Sequence, residues 1–86
     1  MPTSEIRRYV LDYLERSGPL PPENELDSFN FLGSGYIDSL ALFAFLLSIK
    51  KDLGAEIKPE ELIDPRLATV GGLCAAIENK LNESHS

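Results

Sequence analysis

The stretch Asp38–Gly54, DSLALFAFLLSIKKDLG, decides the fold class. Asp38 is a residue type that caps helix N-termini, and Gly54 is the type that stops them. Lys50 and Lys51 fall in the last turn, where the helix dipole favours cations. The spacing therefore predicts a helix over residues 39–53. Leu42, Phe45, Ile49 and Leu53 form one apolar stripe, and Leu40, Phe43 and Leu47 form another. A surface helix needs only one such stripe. This helix is either central to the fold or presents an apolar face to a ligand or partner.

Helical patterning continues on both sides. Residues 3–17, TSEIRRYVLDYLERS, place Ile6, Val10, Tyr13 and Leu14 on one face, with Thr3 or Ser4 as cap and Gly18-Pro19 as terminator. Residues 18–37 form a long connection. Its proline-rich first part carries no regular element, whereas Leu26, Phe29, Phe31, Leu32 and Ile37 should fold the rest back onto the core. Beyond Gly54, Pro59 can open a short helix with Glu60 and Glu61 in its first turn, and Ile57, Leu62, Ile63 and Leu67 are anchors. Thr69 can cap a last helix with Val70, Leu73, Ile77 and Leu81 inward, its start weakened by Gly71 and Gly72. No strand pattern or repeat competes. The expectation is an all-α fold: a small four-helix bundle, three main helices and one short, with a long first loop. It forms one domain over residues 1–86, with a core over about 3–82 and a frayed polar tail at 83–86.

The bulk composition narrows the function classes. The chain has 86 residues, 43% of them hydrophobic, enough for one small core. A net charge of −6 lacks the basic footprint that nucleic acid requires and favours basic protein partners. Arg7, Arg8, Asp12 and Glu15 interrupt any apolar leader, and no uncharged run, Ser39 to Ile49 included, is long enough to span a membrane. A single cysteine, Cys74, fits a reducing compartment and reads as a small core residue. A cytoplasmic monomer is expected.

Catalytic readings fail for lack of parts. An activated serine needs a base, and the one histidine, His85, stands in the tail. Gly33-Ser34-Gly35 is not the strand-borne nucleophile elbow, so Ser34 reads as a turn residue. No Cys/His cluster, calcium loop or phosphate-binding glycine loop exists. The expectation is no enzyme and no metal.

The residues around Ser39 point elsewhere. Gly35-Tyr36-Ile37-Asp38-Ser39-Leu40 resembles the attachment motif of acyl carrier and peptidyl carrier proteins, whose core is Asp-Ser-Leu at the start of the second helix. The apolar pattern of residues 40–53 looks like that family's second helix. Gly54–Leu62, GAEIKPEEL, looks like the segment after it, and Thr69–Leu73, TVGGL, looks like the start of the last helix. These landmarks keep family-like order over residues 26–81.

The resemblance implies that Ser39 takes 4'-phosphopantetheine from coenzyme A, with Asp38 and Leu40 as its flanking site residues. Asp38 would also help the phosphopantetheinyl transferase place its metal and the serine. The holo protein would carry an acyl or aminoacyl group as a thioester and deliver it to loading and transferring enzymes. Tyr36 and Ile37 read as packing residues, the alternative being that they border the prosthetic arm. One departure stands out. Fatty-acid-type carriers stud the second helix with acids, but Ser39–Lys51 contains none. Docking is therefore expected to be apolar and weakly salt-sensitive, through Ala41, Phe43, Ala44 and Leu47, in a specialised pathway. Leu42, Phe45, Leu46 and Ile49 read as an ordinary core in preference to a cleft for an acyl chain. The alternative is an unmodified helical interaction domain with the carrier fold.

Overall fold

The structure is a computed structural model that describes residues 3–32 and 35–85. Three α-helices build it: α1 (Thr3–Glu15), α2 (Ser39–Leu53) and α3 (Val70–His85). Two 3-10 turns, Glu23–Glu25 and Pro59–Ile63, lie in the connections. Among the described residues there is no strand, only an isolated bridge between Asn30 and Thr69. The short element expected after Pro59 is thus a 3-10 turn, and the connection expected to be irregular holds a second one at Glu23–Glu25. Ser34 and its expected turn role lie outside the described residues, as do the side chains of Thr3, Ile63 and His85.

Local chemistry fixes the helix ends. Asp38 caps α2 in an extended conformation, and Gly54 ends it in the left-handed one, donating its N–H to the Ile49 and Lys50 carbonyls. Thr69 Oγ1 accepts the Gly72 amide at 3.1 Å and caps α3. The Glu61 carboxylate accepts the Lys58 amide at 2.7 Å, closing the turn that Pro59 opens. α1 ends at Glu15, with Arg16 and Ser17 in a turn. α3 continues to His85, so the described part of the polar tail, residues 83–85, is helical. No glycine or proline follows Leu81 to stop it.

Ile6, Val10 and Leu14 of α1 are fully buried with Phe31, Phe45, Ile49, Val70, Leu73 and Ile77. Each such side chain contributes roughly 1.5–3 kcal/mol by leaving water. The Tyr13 and Phe45 rings stack at 4.3 Å, and Phe31 meets Phe45 edge-on at 6.4 Å. Tyr9 donates its hydroxyl hydrogen to Asp52 at 2.8 Å, tying α1 to the C-terminal end of α2.

The long first connection folds back. Leu26, Phe31 and Ile37 are buried, and Phe29 and Leu32 are half-buried. Backbone bonds pin it to the start of α3: Phe31 N–H to Ala68 O, Val70 N–H to Phe29 O, and Gly71 N–H to Asp27 O. Gly72 permits this junction, because a Cβ there would stand 1.5 Å from the Arg66 carbonyl oxygen. Gly72, which weakens the helix by propensity, is required by close approach. The radius of gyration, 11.9 Å, matches the ~12 Å expected of a packed domain of this length, which an unfolded loop would exceed.

Candidate functional site

The site is the exposed start and outer face of α2. Tyr36 sets its entrance. Its hydroxyl lies between the Leu14 and Gly18 carbonyl oxygens, 2.7 Å from the former, and shares one hydrogen between them. Its ring meets Phe29 edge-on at 5.1 Å. Tyr36 therefore packs, as does the buried Ile37. Gly35 turns the chain ahead of the cap with φ of 79°, a conformation other residues rarely adopt, and faces open space.

Asp38 Oδ1 accepts the Ala41 amide at 2.8 Å, and the Asp38 carbonyl accepts the Leu42 amide at 2.8 Å. The amides of Ser39 and Leu40 take no acceptor among the described residues. Ser39 is exposed, and the first turn of α2 carries no acid. Two outward amides and the positive end of the helix dipole make this turn receptive to an anionic substituent.

The structure separates the two apolar stripes of α2. Leu42, Phe45, Leu46 and Ile49 face the core, and Leu53 is half-buried. Leu40, Phe43 and Leu47 face outward, 82%, 50% and 69% exposed. Ala44 is exposed beside them, whereas Ala41 is half-buried and packs against the core. The outward strip is thus Leu40, Phe43, Ala44 and Leu47, about 10 Å long at the rise of an α-helix. Leu40, expected both as a flanking residue of the attachment site and in one stripe with Phe43 and Leu47, is the first member of this strip.

Phe43, Leu46 and Leu47 also form one wall of a groove of about 230 Å³, closed by Ile57 and Pro59 and bordered by Lys50, Glu56 and Lys58. Cys74 is buried, and burial pushes its thiol up to about 11, which keeps it in the thiol form at neutral pH. Among the described residues no cluster of His, Cys, Asp or Glu stands where it could hold a metal ion. Among them, too, no helix is long and apolar enough to cross a membrane.

No family model matches the chain, and no curated protein and no solved structure matches it either.

Proposed function

We propose that this protein is a carrier module of the acyl carrier and peptidyl carrier type, modified at Ser39. The observation that carries the reading is an exposed serine directly after a capping aspartate. It sits on a turn whose first two amides take no acceptor among the described residues. The motif and landmarks around it resemble the carrier family in order and spacing.

The residues present fit the prosthetic group. The Ser39 hydroxyl is reachable, and the space around Gly35 is open. The Ser39 and Leu40 amides and the helix dipole would favour the phosphodiester's negative charge. Asp38 holds the turn through its Ala41 bond. Its charge opposes the phosphate mildly, and solvent screens the two at this exposed position. When bound, 4'-phosphopantetheine supplies the thiol on which an acyl or aminoacyl group is carried as a thioester. Ser39 needs no internal base, because a separate phosphopantetheinyl transferase activates it.

Partner enzymes dock on the outward strip of α2. Tethering raises the effective concentration of cargo at each partner while each docking contact stays weak. The acid-free helix supports a specialised acyl, aminoacyl, polyketide or modified-lipid pathway. The exposed strip also supports a second reading, an unmodified helical interaction domain.

Incubation with a broad-specificity phosphopantetheinyl transferase and coenzyme A, followed by intact mass, decides between them. The carrier reading expects one phosphopantetheine gained, lost in Ser39→Ala and kept in Ser34→Ala. An unchanged mass, or a gain that survives Ser39→Ala, leaves the interaction domain as the reading.

A further inference from the structure

The charges bordering the α2 groove are the exception in this molecule. The chain carries a net charge of −6, and most of its cations are already paired. Arg7 meets Glu23 and Asp27 at 3.2 Å, Arg8 meets Asp12 at 4.0 Å, Arg66 meets Asp64 at 3.0 Å, and Lys80 meets Glu61 at 3.2 Å. Arg16 lies over the Tyr13 ring.

At the groove the pattern reverses. Its one lining carboxylate, Glu56, is taken by Lys50 at 3.3 Å. Lys51 continues the outward strip one turn beyond Leu47, and Lys58 borders the groove from the other side. Both are exposed, and neither has a carboxylate within ion-pair distance among the described residues. The Asp52 carboxylate, next in the chain to Lys51, accepts a hydrogen bond from Tyr9 on the α1 side. The groove therefore joins an apolar floor to exposed lysines, Lys58 on its rim and Lys51 one turn along the strip, on an otherwise acidic protein.

We infer that this groove receives an acidic amphipathic helix of a partner protein. Its apolar side chains would seat against Phe43, Leu47, Ile57 and Pro59, and its flanking carboxylates would face Lys51 and Lys58. A helix laid in an apolar groove reads such a floor through side chains three and four apart, and the rim charges select the sign of the partner. A second copy of this chain fits poorly. Two chains of net charge −6 repel each other. The inference rests on the docking role proposed for α2, and it stands or falls independently of Ser39 modification.

The test uses the 15N-labelled Ser39→Ala protein at low salt. The probes are two synthetic helical peptides with the same Leu/Phe face, one flanked by Glu and one by Lys. The Glu peptide is expected to shift Phe43, Leu47, Ile57 and Lys58 amides and to bind roughly ten-fold tighter, the equivalent of two exposed ion pairs. The Lys51→Glu/Lys58→Glu protein, folded by circular dichroism, should reverse that preference. Equal binding, a preference for the Lys peptide, or shifts confined to other faces would overturn the proposal. Concentration-dependent self-association shifting the same amides without peptide would overturn it in favour of a second copy. The mass test of Ser39 is a separate measurement, so failure of either is recognised on its own.

Discussion

Asp38 Oδ1 stands 2.8 Å from the Ala41 amide nitrogen, so the residue immediately before Ser39 is committed to starting the helix. Replacing it by Ala should cost about 1 kcal/mol, the usual value of an N-cap. Asp38→Asn keeps an acceptor in the same place and should stay near wild type. Urea denaturation of the two variants separates capping from charge. Equal losses in both would mean that the carboxylate acts through charge and not through the bond.

The two faces of α2 should differ sharply in what they contribute. Phe45 is fully buried between Tyr13 and Phe31, and Phe45→Ala should cost about 3–5 kcal/mol, which threatens folding of so small a domain. Leu47 is 69% exposed, and Leu47→Ser should change stability by no more than about 0.5 kcal/mol while weakening partner binding. Thermal melts of both variants check the first statement, and titration with any identified partner checks the second.

Gly72 is constrained by the Arg66 carbonyl, a backbone atom that cannot swing aside. Gly72→Ala gains helix propensity yet should lower stability by more than ~2 kcal/mol and Tm by roughly 10 °C or more. Gly71→Ala should cost less, because its Cβ would meet the Asp27 carbonyl at 3.0 Å. A stabilised Gly72→Ala protein in a melting experiment would contradict the packing of the loop on α3.

These residues also indicate what the sequence could carry. Helix ends written in local chemistry were legible: Asp38, Gly54, Pro59 and Thr69 act where their types predict. The expected core set of α2, Leu42, Phe45, Leu46 and Ile49, is buried, but hydropathy alone does not choose it over the other stripe. Leu42, Phe45 and Ile49 are no more apolar than Leu40, Phe43 and Leu47, and only contact with Tyr13 and Phe31 decides which set is buried. The role of Gly71 and Gly72 was hidden for the same reason, since their neighbours Asp27 and Arg66 come from other segments. The turn at Glu23–Glu25 is too short to have a period. The attachment motif was legible as a pattern, but the exposure of Leu40, which joins it to the outward strip, came from the packing.

Tyr9 gives the fold an alkaline limit. Partial burial and the bond to Asp52 push its phenol from 10.0 up to about 12. A raised pKa means that the fold favours the neutral phenol. The contribution is complete below pH 10 and is lost as pH rises through about 12. Ultraviolet titration of tyrosinate in the folded protein should end in a late step near pH 12, and Tyr9→Phe should remove that step. A titration unchanged by Tyr9→Phe would deny the Tyr9–Asp52 tie.

Cys74 bears on how the proposed function is measured. It is 4% exposed on the inner side of α3, and burial holds its thiol near 11, well above the usual range. Only a small fraction is thiolate at neutral pH, and reagents cannot reach it without local opening. An aromatic disulfide reagent should therefore leave the folded, unmodified protein unreacted and titrate one thiol after unfolding in urea. After treatment with the transferase and coenzyme A, the folded protein should gain one fast-reacting thiol, and Cys74→Ala should gain it equally. Rapid reaction of the folded, unmodified protein would mean that Cys74 is accessible, and thiol assays of the carrier reading would then need the Cys74→Ala background.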